Sequence, residues 1–457
     1  MNRLIALRAL LPDGWRKNVL LEWDESGCLT RVDDAPSDAV ATAGIVLPGM
    51  ANLHSHAFQR AMAGLTEYRT DPTDSFWSWR TLMYRFAQKL SPSTLKAIAL
   101  QLYIEMLKSG YTSVCEFHYL HHDVGGNPYA NPAEHAQCLI AAAEEAGIGL
   151  TLLPVLYQYS GFGAKAPTVS QARFISSPEW ILSLLQRLQN SHPQHAGLRY
   201  GVAPHSLRAV SPASLRELLD GVQRLDAQAP IHIHIAEQTQ EVDDCVVSLG
   251  ARPVAWLMDN AEVDARWCLV HATHMTVAET AALARSGAVA GICTTTEANL
   301  GDGIFNGAAY TALGGTWGIG SDSHVSTSMR EELRLFEYTQ RLQHRQRNVL
   351  VGPGGKSVGE YLYREALRGG AAASGRPVAG FAVGQRADLI VLDDAHADLA
   401  GKHDEQVLDA FVFCNHGAVP VMDVLAGGRW VIRAGRHGLE ESSGSGYREA
   451  LRGLLAE

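Results

Sequence analysis

Apolar positions between residues 45 and 325 repeat one pattern, in which a capped helix, a glycine and a short apolar strand follow each other. The clearest copy is SPSTLKAIALQLYIEMLKSGYTSVCEF, which begins at Ser91. Serine is a favourable N-cap and proline suits the first helical position, so Ser91 and Pro92 predict the start of a helix. The apolar residues that follow keep the spacing of one helix face. Gly110 can adopt the left-handed conformation that ends a helix, and TSVCEF then reads as a strand.

Eight strands are predicted in this way, near residues 45–53, 112–117, 149–156, 198–204, 230–235, 267–271, 288–293 and 316–321. Strands that alternate with helices form parallel sheets, and eight such units close into a barrel. A doubly wound open sheet is the structural alternative, but no G-x-G-x-x-G motif follows the first strand. The sequence therefore predicts an α/β fold built on a (β/α)₈ barrel.

The two ends of the chain have a different pattern, with short β-like runs separated by Gly and Asp turns. These runs are LIALRALL, VLLEW, ADLIVLDD, AFVFC and GRWVIRAG. They predict one small β-sandwich beside the barrel, to which residues 1–46 and 377–457 contribute, while residues 47–376 form the barrel. The segment GGAAASGRPVAG marks the second boundary, and the tail is expected to contain a flexible link, ESSGSGYRE, and a short charged helix.

The net charge, the apolar runs and the cysteines indicate which kinds of binding partner and which compartment to expect. The net charge of −10 argues against a general nucleic-acid or anionic-membrane binder, although a small anionic substrate remains compatible because a pocket sets its own local potential. No run approaches the ~18 apolar residues of a membrane span, and the first residues lack the features of a signal peptide. The seven scattered cysteines contain no C-x-x-C pair, which indicates buried thiols in a reducing compartment. We therefore expect a cytoplasmic protein.

Side chains that can bind a metal ion follow several predicted strands, at the end of a barrel where chemistry takes place. They are His54 and His56 after the first strand, His232, His234 and Glu237 in and after the fifth, His271 after the sixth and Asp322 after the eighth. Each has an ordinary explanation alone, as a packed histidine or a turn-capping aspartate. Together they occupy four of eight strand ends, which indicates a metal site. Imidazole and carboxylate ligands suit Zn²⁺, and also Fe²⁺ or Mn²⁺, and such an ion lowers the pKa of bound water from ~15.7 toward ~7.

In order along almost the whole chain, these motifs resemble those of the amidohydrolase superfamily. They are PGxxNxHxH, HxxE after the fifth strand, the sixth-strand histidine, SD after the eighth strand and GxxADLIVLD. The fourth predicted strand, GLRYGVAPHS, lacks the lysine that two-metal members carbamylate, so the resemblance favours the one-metal, deaminase-like branch. It implies a barrel of the amidohydrolase type, one zinc ion per chain and a homodimer.

The resemblance also implies roles for the residues at the strand ends. The metal ligands would be His54, His56, His234 and Asp322. Glu237 matches the acid that shuttles protons to the substrate nitrogen, and His271 matches the residue that activates the metal-bound water. Asp322 is also expected to accept a proton from that water. His234 is preferred to His232 because it lies three residues before Glu237, and His232, one layer deeper on the same strand face, is the second choice.

Within that branch, six segments resemble the formimidoylglutamate deiminase family: HSHAFQRAMAG, SFWSWR, EFHYLHH, APHSLRAV, HIAEQTQEV and TTEANLGDGIF. The resemblance implies hydrolytic deamination of N-formimino-L-glutamate to N-formyl-L-glutamate and ammonia, a step of histidine degradation. For the two carboxylates of this substrate it points to Gln59, Arg80, Tyr119, His205 and Arg208. Arg80 follows an aromatic cluster in the segment around residues 66–86, which is a candidate lid.

Two alternatives stay open. A deaminase of guanine, cytosine or another cyclic amidine, or a related chlorohydrolase, would share the metal ligands and Glu237 but would give no reason for paired arginines. A non-catalytic barrel that serves as a scaffold would typically have lost metal ligands, and none is missing from this sequence.

Overall fold

The computed structural model describes residues 2–67, 76–417 and 419–456. Its strands are β1 (Asn2–Leu11), β2 (Gly14–Trp23), β3 (Leu29–Asp34), β4 (Ala43–Pro48), β5 (Met50–Ser55), β6 (Tyr111–His118), β7 (Gly149–Leu156), β8 (Leu198–Tyr200), β9 (Ala203–Pro204), β10 (Ile231–Ile235), β11 (Trp267–His271), β12 (Val289–Ile292), β13 (Thr316–Ile319), β14 (Leu389–Leu392), β15 (Val421–Ala426), β16 (Arg429–Arg433) and β17 (Arg436–His437).

The α-helices are α1 (Phe76–Gln88), α2 (Pro92–Ser109), α3 (Glu134–Ala146), α4 (Pro178–Ser191), α5 (Pro212–Leu225), α6 (Thr239–Leu249), α7 (Pro253–Asn260), α8 (Val277–Ser286), α9 (Thr294–Leu300), α10 (Gly307–Ala312), α11 (Met329–His344), α12 (Val358–Ser374), α13 (Glu405–Phe413) and α14 (Glu440–Leu455). Two 3₁₀-helices span Ala57–Met62 and Val169–Phe174. None of the helices in the described ranges is long and apolar enough to cross a membrane.

Two parallel sheets join to make the barrel. One has the order β5-β6-β7-β8, with β9 also paired to β7, and the other has the order β10-β11-β12-β13. A bridge between Val202 and Ile231 connects the two sheets, and a bridge between Ser55 and Asp322 closes the ring. Because β8 and β9 together take the fourth position, the ring has the eight predicted strands. The (β/α)₈ prediction is confirmed, and the closure excludes an open doubly wound sheet.

Helix α2 begins and ends at the predicted residues. The Ser91 hydroxyl accepts the backbone N–H of Thr94 at 3.2 Å, and Pro92 is the first helical residue. Gly110 ends the helix with φ of 105°, in the left-handed region that favours glycine. A Cβ at Gly110 would also lie 2.4 Å from the methyl carbon of Met329, a flexible side chain that would have to move, so the backbone conformation is the main reason for glycine.

The two chain ends form one small β domain, as predicted, and its strands hydrogen-bond into a single mixed sheet. The strand order is β17-β16-β15-β14-β4-β1-β2-β3, so β14 from the C-terminal part pairs with β4 from the N-terminal part. The side chains on one face form a hydrophobic cluster separate from the barrel core, and its largest members are Leu4, Leu21, Trp23, Phe381 and Leu389. Each chain end therefore completes a core that the other cannot build alone.

Three predicted segments differ in the structure. The first predicted strand, 45–53, divides at Gly49, so that β4 joins the end sheet and β5 joins the barrel. A Cβ on Gly49 would lie 2.2 Å from the Thr112 side chain, which explains why the chain passes between the two domains at a glycine. The run AFVFC belongs to helix α13 and not to a strand, because its apolar residues pack into the barrel core.

The third difference is the tail. The segment ESSGSGYRE, expected to be a flexible link, is helical within α14. This helix packs on α2, since the Ser443 hydroxyl donates to Gln101 at 2.8 Å and Lys108 forms an ion pair with Glu440. Contacts of this kind stabilise a helix whose glycine and serine content alone predicts flexibility.

Candidate active site

Three imidazoles and one carboxylate converge at the carboxyl end of the barrel. The Nε2 atom of His54 lies 3.2 Å from Nε2 of His56 and 3.0 Å from Nε2 of His234. Oδ1 of Asp322 lies 3.3 Å from Nε2 of His56 and 3.5 Å from Nε2 of His54. Ligands about 2.0–2.1 Å from a tetrahedral ion are about 3.3 Å apart, and the contacts of His54 with His56, His234 and Asp322 are close to that spacing. The ligand atoms of the three histidines all lie within 4.8 Å of one another, and those of Asp322, His271 and Cys293 form an adjoining group.

The outer nitrogens of two imidazoles fix the direction of their lone pairs. Nδ1 of His56 donates to the carbonyl oxygen of Phe117 at 3.0 Å, and Nδ1 of His234 donates to that of His205 at 3.1 Å. Each Nε2 therefore presents a lone pair to the centre of the cluster. Burial lowers the pKa of His56 to about 3 and, together with neighbouring imidazoles, holds the pKa of His234 well below its ordinary value. Neutral imidazoles are the form that binds a metal ion.

Asp322 is held in place by the backbone. Its N–H donates to the carbonyl of His54 at 3.0 Å, and the N–H of His56 donates to the carbonyl of Asp322 at 3.2 Å. Asp322 has φ of +46°, a left-handed conformation that surrounding contacts must maintain in a residue other than glycine. Burial raises the pKa of its carboxyl to about 7, although His271 opposes that shift.

Two further candidates, Glu237 and His271, lie beside the imidazole cluster. Nε2 of His271 is 3.7 Å from both Oε1 of Glu237 and Oδ2 of Asp322. On the other side of the ring, Nδ1 is 3.2 Å from Oε1 of Glu297. Burial alone would lower the pKa of His271, but Glu237, Glu297 and Asp322 outweigh it and hold that pKa well above its ordinary value. The His271 ring therefore has Glu297 beside Nδ1, and it has Glu237 and Asp322 beside Nε2.

His232 does not take part in the cluster. Its Nε2 atom donates to the carbonyl of Ala373 at 2.8 Å, at the end of α12, and burial lowers its pKa to about 4. The structure therefore places His234, and not His232, with His54 and His56.

A cavity that combines aromatic, apolar and charged side chains lies over the cluster. Such a lining is typical of small-molecule sites. All five residues proposed to bind substrate line it together with the cluster: Gln59, Arg80, Tyr119, His205 and Arg208. Sequence reasoning did not identify six other lining residues, namely Phe76, Trp79, Met83, Tyr84, Tyr157 and Leu300. The aromatic run SFWSWR signalled the first two, whereas Tyr84 and Tyr157 lie in no recognisable motif.

Helix α1 forms one wall of this cavity. Of the candidate lid segment around 66–86, residues 68–75 lie outside the described part of the chain, and the remainder includes α1. Arg80 stacks on the Trp77 ring, with Cζ 4.5 Å from the ring centroid. Its position between an aromatic surface and the cavity orients the guanidinium toward a ligand.

Arg208 is buried and Arg80 is half-buried, and each has a buried donor atom without an acceptor in the described chain. Nη1 of each has no hydrogen-bond partner among the described residues. Burial, followed by the positive charge of Arg208, lowers the pKa of Arg80. Two mutually repelling guanidiniums with unused donors make this wall of the cavity suitable for an anion.

A second group of carboxylates surrounds Glu237. Ligand atoms of Glu237, His271 and Asp302 lie within 4.8 Å of one another, and burial and the charge of Glu237 raise the pKa of Asp302 to about 9. Glu241 accepts the backbone N–H of Glu237 at 3.0 Å and so holds its main chain. Sequence reasoning missed Asp302, Glu241 and Glu297. The segment TTEANLGDGIF, which was recognised as a unit, contains Glu297 and Asp302.

Comparison with known proteins agrees with this geometry. The chain is 53% identical to the formimidoylglutamate deiminase of Pseudomonas aeruginosa over 457 residues, which cover 100% of both chains. It is 27% identical to an 8-oxoguanine deaminase of the same organism over 85% of this chain and 82% of that protein. A crystal structure of an amidohydrolase from Brucella melitensis superposes with a TM-score of 0.93 at 47% identity and covers 100% of both chains.

The family comparison gives the same classification for most of the chain. The model of the amidohydrolase family matches residues 45–431, which include the whole barrel and strands β14 and β15 of the end sheet. With the full-length similarity to the deiminase, this match shows that the chain belongs to the amidohydrolase family.

Proposed function

We propose that the protein is a zinc-dependent deiminase that hydrolyses N-formimino-L-glutamate to N-formyl-L-glutamate and ammonia, as a step of histidine degradation. The observation that carries this proposal is that the cavity has candidate metal ligands and acids on one side and cationic donors on the other. Its floor consists of imidazoles and carboxylates: His56, His234, Glu237, His271 and Asp322. Its wall has Arg80, which is half-buried, and Arg208, which is buried, and Nη1 of each has no partner in the described chain. The substrate has a matching division, with a formimino group at one end and two carboxylates at the other.

The donors on the floor support zinc as the cofactor. The residues that would hold it are His54, His56, His234 and Asp322, a set of borderline-soft nitrogen ligands with one oxygen ligand. When bound, the metal ion supplies an acidified water molecule as the nucleophile. We propose one ion per chain, because the four side chains surround one point.

The residues beside the metal ligands would move the protons. Water adds its oxygen to the formimino carbon, the bond from that carbon to the terminal nitrogen breaks, and both water protons end on the departing nitrogen. Nε2 of His271 lies 3.7 Å from Asp322 and from Glu237, so it can orient the water and pass its proton toward Glu237. Glu237 lines the cavity and delivers a proton to the nitrogen, which then leaves as ammonia and not as an amide anion. General acid–base help of this kind contributes ~10²–10⁴-fold.

Glu297 and the arginines complete the arrangement. The carboxylate of Glu297 accepts from Nδ1 of His271, which directs Nε2 toward the reacting groups. Arg80 and Arg208 would each hold a substrate carboxylate, and bidentate guanidinium–carboxylate pairs fix both distance and direction. Binding at the wall would thereby place the formimino carbon over the floor.

The name of the Pseudomonas aeruginosa relative supports this substrate, since the identity of 53% extends over both complete chains. A cyclic amidine such as guanine is the principal rival, and it would leave the two guanidiniums without a counter-charge. A non-catalytic scaffold is disfavoured because all four proposed ligands are present and three of them, the histidines, lie together.

Ammonia release over a panel of substrates tests the proposal. The panel is N-formimino-L-glutamate, guanine, 8-oxoguanine, cytosine and adenosine, each assayed with zinc-loaded protein of measured metal content. We expect N-formimino-L-glutamate to have a kcat/KM far above the others. A nucleobase as the best substrate would overturn the proposed substrate and leave the hydrolase class standing, and activity in metal-free protein would overturn the zinc mechanism.

A further inference from the structure

Two tyrosine hydroxyls meet at the arginine-bearing wall of the cavity. Tyr84 comes from α1, and Tyr157 follows β7. Their hydroxyl oxygens are 3.1 Å apart, and both residues line the cavity. Neither tyrosine was identified from the sequence. The mechanism proposed above gives them no role.

Gln171 contacts both hydroxyls from behind, and its orientation is fixed. The backbone N–H of Thr168 donates to Oε1 of Gln171 at 2.9 Å, which identifies that atom as the amide oxygen. The amide nitrogen therefore faces the tyrosines, and it donates to the hydroxyl of Tyr157 at 2.7 Å and to that of Tyr84 at 3.2 Å. Gln171 is buried and does not line the cavity.

One phenolic hydrogen of the Tyr84–Tyr157 pair is left without an acceptor in the described chain. Gln171 uses one amide hydrogen for each hydroxyl, so both phenolic oxygens are acceptors toward it. Only one phenolic hydrogen can occupy the contact between Tyr84 and Tyr157. The other has no acceptor among the described residues. Burial and the neighbouring Tyr157 raise the pKa of the Tyr84 hydroxyl, which keeps it protonated.

The remaining hydrogen lies in a cationic environment. Cζ of Arg80 is 5.6 Å from the centroid of the Tyr84 ring, and the charge of Arg208 acts on Tyr84 as well. Nη1 of Arg80 and Nη1 of Arg208 also lack partners in the described chain. This wall therefore holds at least three donor groups without an acceptor. A carboxylate has two oxygens and about four lone-pair directions, so one or two such groups satisfy all of these donors.

We propose that Tyr84 and Tyr157 act together to direct a single phenolic hydrogen to a carboxylate of the substrate, and that Gln171 positions them to do so. This inference rests on the proposed function and adds specificity residues to it. Because Gln171 only donates to the pair, it forces a phenolic hydrogen outward. The pair would then favour a carboxylate over an amide at the same place, since the NH₂ of an amide is a donor.

The two tyrosines should behave as one unit in mutagenesis. In Tyr84→Phe the hydroxyl of Tyr157 no longer shares its contact and keeps a free hydrogen, and the same holds in reverse for Tyr157→Phe. Each single variant should therefore weaken binding by less than about 3-fold. The double variant loses both hydrogens and should weaken binding by at least ~10-fold, more than the product of the single effects.

Gln171 gives a test from outside the cavity. Gln171→Glu replaces the donor by a carboxylate that accepts both phenolic hydrogens, so it should weaken binding as the double tyrosine variant does. Gln171→Met, which neither donates nor accepts strongly, leaves one phenolic hydrogen free but no longer directs it outward. It should weaken binding by about 3-fold, which is less than the loss in Gln171→Glu. The two substitutions differ little in size, so a purely structural role for Gln171 predicts comparable losses for both.

The deciding experiment is calorimetric titration of the zinc-loaded variants with N-formyl-L-glutamate. N-formyl-L-glutamine, in which an amide replaces the side-chain carboxylate and the other carboxylate is kept, is the comparison, and melting temperatures check the fold. We expect the two variants that remove the free hydrogen to lose ~10-fold affinity for the dicarboxylate and to change little for the amide. If Gln171→Glu does not fold, the double tyrosine variant decides. Normal affinity of the folded double variant would overturn this inference alone. Failure of the unchanged protein to bind N-formyl-L-glutamate, with no turnover of N-formimino-L-glutamate, would overturn the proposed function and this inference with it.

Discussion

The floor and the arginine wall of the cavity differ in how their polar groups are satisfied. On the floor, the imidazoles of His56 and His234 are each held by a backbone carbonyl, and Glu297 holds His271. On the wall, Nη1 of Arg80 and Nη1 of Arg208 have no partner among the residues that the structure describes. Most of the floor is therefore oriented by the protein itself, although Nδ1 of His54 also has no partner in the described chain. For the wall, we propose that an anion supplies the missing acceptors.

This difference separates catalysis from substrate selection. Positions that must hold a metal ion and move protons need fixed geometry, which the ends of buried strands provide. Positions that select a substrate gain discrimination from donors that only the right ligand satisfies, because an unpaired buried donor penalises every other ligand. Changes on the floor should therefore abolish the reaction, while changes on the wall should alter which molecule reacts and how tightly it binds.

The largest effect is expected from removing a metal ligand. His234→Ala should reduce bound zinc well below one ion per chain and lower activity by ~10³-fold or more, because three remaining ligands neither hold nor position the ion well. His232→Asn, two residues away on the same strand, is the matched control and should keep its metal. Elemental analysis and turnover of both variants check the prediction, and equal metal content in the two would contradict the ligand assignment.

A smaller loss is expected when the proton carrier is changed and the metal stays. Glu237→Gln should lower kcat by ~10²–10⁴-fold, because glutamine keeps the shape and hydrogen bonds of the side chain but cannot carry a proton. His271→Asn should behave similarly. Steady-state kinetics with parallel metal analysis test this, and a near-normal kcat for Glu237→Gln would rule out its role.

On the wall, Arg80→Met and Arg208→Met should each lower kcat/KM for N-formimino-L-glutamate by roughly 10- to 150-fold. The physical reason is the loss of charge-assisted hydrogen bonds worth ~1.5–3 kcal/mol. Metal content should not change, since neither arginine contacts the imidazole cluster. Arg216→Met, on the exposed face of α5, is the control. If both wall variants react normally, the wall does not bind the substrate carboxylates.

The smallest expected effect comes from changing the substrate instead of the protein. N-formimino-L-aspartate is one methylene shorter, so its far carboxylate cannot reach the wall while the formimino carbon lies over the floor. We expect it to react up to ~10-fold less efficiently, and we expect Arg80→Met or Arg208→Met to reduce that difference. If the difference in kcat/KM between the two substrates is unchanged in both variants, the arginines do not discriminate substrates by length.

The barrel and the floor were largely predictable from the sequence because both follow from periodic patterns. The strands ending at His54, His234 and His271 are short apolar runs, and a residue that follows such a strand must lie at the carboxyl end of the barrel. The capping residues Ser91 and Gly110 gave the correct ends of α2 for the same local reason.

The segments that were predicted wrongly, and the site residues that were not predicted, depend on tertiary contacts and not on local patterns. AFVFC has the composition of a strand, but packing on the barrel makes it the end of α13, and ESSGSGYRE has the composition of a link, but contacts with α2 make it helical. Tyr84 and Tyr157 are 73 positions apart in sequence and meet only through the fold. Local patterns carry no information on such pairings, which tertiary contacts decide.

The most direct test of the divided cavity is a comparison of N-formimino-L-glutamate with guanine as substrates of the zinc-loaded protein and of its Arg208→Met variant. We predict efficient ammonia release from N-formimino-L-glutamate by the unchanged protein, little release from guanine, and a loss of roughly 10- to 150-fold for the first substrate alone in the variant. Preferred turnover of guanine, or an equal loss for both substrates, would contradict the assignment of the wall to substrate carboxylates.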